Sequence, residues 1–302
     1  MAFAQSWCTP GARSVSALGR RWGWIPALIR LSRPLNLGLI LSTSLSALLL
    51  TTRAQPDLSI PWLSWVLMIS SSLLIAVGGY WLNDLYDQPI DRLNRPQRAF
   101  WVALVGQRIL LSATLFVWAL GLLLSGFLPW TIFGLHGGAV ALLVWYARWG
   151  KKTGLLGNAA IALLTGLVPW EVLLLLRTTS YAADWMIPLA ISFNFVREIV
   201  KDAEDLAGDR LYGVASLAAR LTPATFSRLL VVLWLALMAL CVAPAFLHAL
   251  IWHSLPWGYL FAVALGTVLP LSLGFLRWSA YGFLSGALKV GMGGGLLALW
   301  FL

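Results

Sequence analysis

Nine stretches of sixteen to twenty-two mostly apolar residues recur along this 302-residue chain, and nothing else in it constrains the fold as strongly. They fall near 35–52, 62–82, 109–124, 130–146, 155–176, 185–200, 226–247, 257–276 and 283–301. A helix crossing the hydrocarbon core of a bilayer needs about 20 such residues, because lipid offers no partner for unpaired backbone polar groups. The pattern predicts an all-α integral membrane protein of about nine transmembrane helices in one bundle. The third and sixth stretches are the shortest, so their polar neighbours are expected to continue as helix into the aqueous phase. Only 11% of residues are charged, against about 25% in soluble domains. The eighteen tryptophans suit interfacial anchoring, since an indole joins an apolar body to one polar N–H. Cys8 and Cys241 imply neither a disulfide framework nor a thiol metal site. Residues 1–32 read as a cytoplasmic N-terminal segment, without the apolar core of a cleaved signal peptide, and 33–302 as one polytopic domain.

Basic residues orient the bundle, because Lys and Arg accumulate on the cytoplasmic side. Arg13, Arg20, Arg21, Arg30 and Arg33 precede the first span. Arg92, Arg95, Arg98 and Arg108 follow the second, and Arg148, Lys151 and Lys152 the fourth. Arg197, Lys201, Arg210, Arg220 and Arg228 surround the loop after the sixth, and Arg277 follows the eighth. The other side has only Arg53 and Arg177, with Lys289 left inside the ninth span. Eighteen against two predicts a cytoplasmic N-terminus and an external C-terminus. The net charge of +10 is consumed by this topology, which leaves no basic patch for nucleic acid.

The second and sixth spans each end in an acidic motif. Asp84, Asp87 and Asp91 lie within about 60° of helical arc, so three carboxylates share one face. Asp202, Asp205 and Asp209 repeat the same D-x-x-D-x-x-x-D spacing, and each copy ends in Asp-Arg. The repetition suggests two pseudo-repeated halves, the second with an additional span. Two such faces at one membrane surface require cations, and hard divalent ions such as Mg²⁺ commonly bridge carboxylates to phosphates. A pair of Mg²⁺ sites holding a diphosphate follows, with Asn83 as a neutral ligand or an orienter of a carboxylate. Arg92, Arg95 and Arg98 near the first motif, and Arg197, Lys201 and Arg210 near the second, offer forked or point-charge donors to phosphate oxygens. The loop after the fourth span adds Tyr146, Lys151, Lys152 and Asn158. There a lysine can meet the terminal phosphate and a tyrosine hydroxyl a developing allylic cation.

NDLYDQPIDRLNRPQR (83–98) resembles the first aspartate motif of the UbiA family of intramembrane prenyltransferases, and REIVKDAEDLAGDRLYGVASLAARL (197–221) its second. Tyr146, Lys151, Gly157 and Asn158 match the family's tyrosine-to-lysine loop, and Arg33–Asn36 (RPLN) resembles the start of its first helix. REIVKD is most similar to the archaeal-type geranylgeranylglyceryl phosphate geranylgeranyltransferase-like subgroup. The resemblance implies a nine-helix bundle with a cytoplasmic cap, a central cavity opening laterally to lipid, and Mg²⁺-dependent transfer of an isoprenyl chain. It implies metal ligation by Asn83, Asp84, Asp87, Asp91, Asp202, Asp205 and Asp209. Arg33, Asn36, Asn83, Arg92, Arg95, Arg98, Asn158, Arg197, Lys201 and Arg210 would contact substrate, and Tyr146 and Lys151 would join the aspartates in catalysis. Ala99 and Ser216 depart from residues frequent in the family.

A polyprenyl diphosphate donor, a lipophilic acceptor (a glyceryl phosphate hydroxyl or an electron-rich ring) and membrane lipids are the expected partners. The apolar bundle would shelter the allylic cation from water, and Tyr80 or Trp81 could stabilise it. Glu171, within the fifth span, suggests an acceptor contact or base, or pairing with Lys289 or a neighbouring polar group. Glu204, off the aspartate face, is expected to pair with a basic loop residue. A transporter with a cation or phosphate site would place its acids across the midplane and use inverted repeats. A membrane terpene cyclase would ionise the same donor without an acceptor.

Overall fold

Proline and glycine punctuate the chain where its helices start and stop. The computed structural model describes residues 23–211, 216–276 and 280–302; Cys8, Arg13, Arg20, Arg21 and Arg277 lie outside them. Among the described residues there is no strand. The helices are α1 (Trp24–Leu31), α2 (Pro34–Ala54), α3 (Trp62–Asn94), α4 (Pro96–Val105), α5 (Gln107–Ser125) and α6 (Trp130–Arg148). Then follow a 3₁₀ turn (Gly150–Thr153), α7 (Leu155–Leu176), α8 (Tyr181–Glu204), α9 (Leu206–Leu211), α10 (Leu217–Arg220), α11 (Pro223–Trp252), α12 (Trp257–Leu276) and α13 (Tyr281–Ala298). Pro34, Pro96 and Pro223 occupy first-turn positions, where a missing N–H costs nothing. Gly106, at φ +85°, makes the tight turn between α4 and α5.

Among the described residues, eight helices, α2, α3, α5, α6, α7, α11, α12 and α13 with its terminal turn, are long and apolar enough to cross a membrane. The remaining expected span is α8, 24 residues long, whose six charged residues make it less apolar than the others. α5 starts at Gln107 and α8 runs on to Glu204, so the two short stretches do extend through polar residues. At 33 residues α3 is about 50 Å long, well beyond a hydrocarbon core of about 30 Å. Its last three turns, which carry the first aspartate motif, therefore project from the apolar part of the bundle.

The main core joins α2, α3, α7, α8 and α11–α13 around residues such as Leu48, Met68, Phe193, Leu230, Tyr259 and Leu288. Gly294 of α13 lies directly on the backbone of Gly266 in the π turn of α12, an approach that any Cβ would obstruct. Gly286 and Gly293 meet nothing nearby, so only part of that glycine-rich stretch serves close packing. A second apolar layer covers the aspartate end. Ala27 and Leu31 of α1, Val102 and Val105 of α4, Leu110 of α5 and Trp81 of α3 are buried together, and the Arg30 guanidinium lies 4.4 Å over the Trp101 ring. The residues preceding the first span are thus built into the bundle from Trp24 onward.

Candidate active site

The stripe Ser72, Ile75, Ala76, Gly79, Tyr80 and Asn83 on α3 lines one wall of a cavity of ≈ 240 Å³. It extends about 16 Å along the helix. Leu39 and Ile40 of α2, Leu135, Ala139 and Leu143 of α6, and Ile161, Leu164 and Val168 of α7 make the shaft mostly apolar, with Ser72, His136, Thr165 and Glu171 as polar positions in its wall. Charge gathers at the aspartate end, where Arg33, Asn36, Tyr146, Arg197, Glu198 and Lys201 join the lining.

Each carboxylate of the first motif has a distinct setting. Asp84 is fully buried; its Oδ1 accepts from Arg33 at 2.5 Å and lies 3.7 Å from Arg98. Arg33 reaches it from a left-handed backbone position, φ +54°. That conformation is uncommon for a residue with a Cβ, and such strain persists where the surroundings hold it at a functional site. Asp87 accepts from Asn83 at 2.7 Å and from Lys151 at 2.7 Å. Asn83 thereby orients a carboxylate. Asp91 is buried.

The second motif is tied to the first by side chains from both. Arg95 donates to both oxygens of Asp205 at 2.9 and 3.0 Å. Asn94 donates to the Asp205 carbonyl at 2.8 Å and accepts the Gly208 N–H at 3.0 Å. A Cβ on Gly208 would come within 2.5 Å of the Asn94 amide, so only glycine fits where the motifs cross. Asn158 donates to Asp202 at 2.8 Å. The 146–158 loop thus reaches Asp87 through Lys151 and Asp202 through Asn158, spanning both motifs. Burial works against the Lys151 charge, but Asp87 beside it, with Asp209 and Asp205, carries its pKa above the ordinary lysine value.

The donor set suits a hard divalent ion in kind. Asp84 Oδ2, Asp91 Oδ2 and Asp209 Oδ1 are buried and have no hydrogen-bond partner, and a buried bare carboxylate oxygen calls for a cation. Among the described residues, no three His, Cys, Asp or Glu side chains converge tightly enough to hold an ion as they stand. Arg33, Arg95 and Lys151 occupy the carboxylates in this arrangement. Asp209 reports the imbalance. Burial, more than Lys151 can offset, pushes its pKa from 3.8 up to about 6. The folded chain then binds more protons than the unfolded chain between those values, so this contribution to stability is full below pH 3.8 and lost as pH rises through about 6. The metal-free protein should accordingly soften between about pH 4 and 7 in thermal unfolding. Burial raises the pKa of Asp91 and Asp202 in the same sense, so Asp209→Asn should remove part of that slope, and an unchanged slope would exclude this assignment.

Several expected residues fall elsewhere. Arg92 and Arg210 are exposed and form no ion pair among the described residues; each follows an inward aspartate by one position, a turn of about 100°. Trp81 does not face the cavity. It is buried against α1 and α4, and its indole N–H donates to the Leu28 carbonyl at 3.3 Å. Tyr80 does line the cavity, with Arg33 stacked 4.7 Å from its ring centre. Glu204 is exposed and makes no ion pair among the described residues.

Glu171 pairs with His136, not Lys289. Its Oε2 is 2.9 Å from His136 Nε2, and Ser72 donates to both carboxylate oxygens at 2.8 and 3.0 Å. Ser71 donates its single proton to the Gly121 carbonyl at 2.7 Å, so the 2.8 Å contact to His136 Nδ1 requires Nδ1–H. Glu198 is a site residue the motifs concealed, bound to Arg197 at 2.7 Å and Lys201 at 3.4 Å. Its signal was available: a carboxylate within a span, flanked by cations at one and three positions.

Relatives agree with this architecture. A digeranylgeranylglyceryl phosphate synthase of Sulfolobus acidocaldarius is 37% identical over 153 residues, 49% of this chain and 54% of that protein. One from Ignicoccus hospitalis is 33% identical over 215 residues, 67% of each. The chain spans about half the length of the first relatives it matches, 54% and 56%. A solved structure concerned with the biosynthesis of digeranylgeranylglyceryl phosphate synthase in membranes superposes with a TM-score of 0.66. It is 23% identical, covers 92% of this chain and 97% of its own, and shares the fold. The sequence pattern of the UbiA prenyltransferase family matches residues 40–283, from within the first span to the start of the last, and the chain belongs to that family.

Proposed function

We propose that this protein transfers a polyprenyl group from a polyprenyl diphosphate to a lipophilic acceptor at the membrane, with Mg²⁺ as cofactor. The observation that carries this reading is the cavity itself: a mostly apolar shaft whose charged end, at Asn83, Arg197 and Lys201, adjoins two cross-linked aspartate motifs. Among acceptors, a glyceryl phosphate lipid is favoured over an aromatic ring, because the relatives named above are digeranylgeranylglyceryl phosphate synthases. The helix ends bearing the aspartates lie on the cytoplasmic side, the side on which Lys and Arg accumulate. The identical aspartate spacing, at the end of α3 and across the junction of α8 and α9, supports two related halves.

Mg²⁺ bound to the unpaired carboxylate oxygens would neutralise the diphosphate and make it a better leaving group. Asp84, Asp87 and Asp91 would face Asp202, Asp205 and Asp209 across it. Lys151, displaced from Asp87, donates to the departing phosphate oxygens. Ionisation breaks the allylic C–O bond, and its electron pair leaves with the diphosphate. Tyr80 and Tyr146 line the cavity beside this point and offer electron-rich rings to the cation. The apolar walls of α2, α6 and α7 hold the chain and exclude water. The acceptor hydroxyl oxygen then forms the new C–O bond, and its proton passes to an oxygen of the released diphosphate.

Purified protein in detergent, given geranylgeranyl diphosphate and geranylgeranylglyceryl phosphate, should release diphosphate and form the ether product in equal amounts. EDTA should reduce turnover at least about a hundredfold and Mg²⁺ restore it. Diphosphate release with no prenylated product would indicate a cyclase. Neither donor binding nor release under any metal condition would reject the proposal.

A further inference from the structure

One charge in the last span has no role in this chemistry. Lys289 of α13 stands between Leu288 and Val290, and its side chain lines the cavity. A lysine within a bilayer-spanning helix is costly unless it reaches a counter-ion or a polar cavity. No hydrogen bond or ion pair joins Lys289 to another group among the described residues. Its charged neighbours are Arg197, Arg33 and Arg95, with Glu198 the one of opposite sign. Glu198 is already committed to Arg197 and Lys201. Lys201 also lies within electrostatic reach of Asp202 and Asp209, so among the described residues Lys289 is the cation on this wall that no carboxylate contacts.

The aspartate end has the reverse imbalance. Among its six carboxylates, ion pairs form with four cations, Arg33, Arg95, Arg98 and Lys151, and Lys201 lies nearby as a fifth. The mouth of the cavity thus has two electrostatic zones. One lacks positive charge and suits a diphosphate that arrives with metal ions. The other has positive charge to spare, within walls of low dielectric constant where an unbalanced charge is expensive. It suits a second anion that carries no metal.

We propose that Lys289, with Arg197 and Lys201, binds a phosphate monoester on the acceptor. This rests on the prenyl-transfer reading and deepens it by naming the residues that select a phosphorylated lipid alcohol over a neutral or phenolic acceptor. Holding that phosphate on α8 and α13 places the neighbouring hydroxyl toward the aspartate end, where the allylic carbon forms. Glu198 keeps Arg197 and Lys201 in position, and Lys289 supplies the charge that neither shares.

The test compares geranylgeranylglyceryl phosphate with the same lipid lacking its phosphate, using wild type, Lys289→Met, Lys289→Gln and Lys289→Arg in detergent. Binding is measured directly by native mass spectrometry, and KM by transfer from geranylgeranyl diphosphate. Wild type should prefer the phosphorylated lipid at least about tenfold, the scale of one charge-assisted hydrogen bond. Lys289→Met should lose most of that preference, Lys289→Arg should keep it, and the KM of the donor should stay within about twofold in both. Lys289→Gln provides the same reading if the methionine variant does not fold. A wild type without the preference, a preference unchanged in both neutral variants, or a donor KM rising in parallel with that of the acceptor would overturn the inference. If wild type binds the phosphorylated lipid through Lys289 but transfers nothing to it, the transfer reading fails and the phosphate site stands.

Discussion

Asp84→Asn should lower prenyl transfer about a thousandfold, the scale on which removal of one preorganised electrostatic partner acts. Asp84 is fully buried, receives Arg33 and Arg98 through one oxygen, and presents the other without a partner. Asparagine keeps its volume and can still accept from Arg33 through its carbonyl oxygen. It removes the negative charge that would hold a divalent cation. The expected signature is therefore loss of turnover in an enzyme that remains folded and monodisperse, with a much weaker Mg²⁺ dependence of donor binding. Single-turnover transfer at saturating substrate measures the first, and donor binding titrated with Mg²⁺ the second. A variant that retains more than about a tenth of wild-type turnover would remove Asp84 from the reacting centre.

The second large effect is on stability. Ser71 and Ser72 of α3, His136 of α6 and Glu171 of α7 form a closed hydrogen-bonded group far from the aspartates. Removing one member strands the rest. Glu171→Met leaves His136 Nε2 facing Ser72 alone, and His136→Leu leaves a buried carboxyl supported only by Ser72. Each single change should cost about 3 kcal/mol, because a buried polar group loses its partner without regaining water. The double replacement removes both ends and should cost less than the two changes added, since apolar residues can fill the same space. A double-mutant cycle by unfolding in mixed micelles decides the matter, and additive effects would exclude the pairing. Ser72, His136 and Glu171 also line the cavity, so transfer by the folded fraction should fall as well, through a raised KM more than a lowered kcat.

The aspartate faces and the spans were both legible in the chain, for different reasons. Spans follow from length and hydrophobicity alone, because lipid forces each apolar run to pair its own backbone. The first carboxylate face follows from periodicity, which places 84, 87 and 91 on one side wherever that helix lies; the second does not, because α8 ends at Glu204, Asp205 caps it and Asp209 belongs to α9. The same rule, carried one position further, turns Arg92 and Arg210 away from that side. Counting charges near a motif includes them, and projecting the helix does not.

Contacts between helices were not legible. Trp81 and Tyr80 are adjacent in sequence, yet Tyr80 lines the cavity while Trp81 is buried under α1 and α4. Only the placement of those two short helices separates the pair. Asn94 looks like an ordinary helix-end residue until Gly208 crosses it, 114 positions later. Glu171 had two plausible partners in the sequence, and the packing of α6 on α7 selected His136 over Lys289. That choice is what leaves Lys289 with positive neighbours and one shared carboxylate.

By itself, then, the amino-acid sequence determined the membrane-spanning helical class, the family, and the chemical type of the two acidic motifs. These depend on local composition and on periodicity within single helices. Tertiary structure alone decided which cation meets which aspartate, which aromatic ring lines the cavity, and where charge is left unbalanced. Such pairings depend on the separation and rotation of helices far apart in the chain, and electrostatic energy in a low-dielectric interior changes steeply with both.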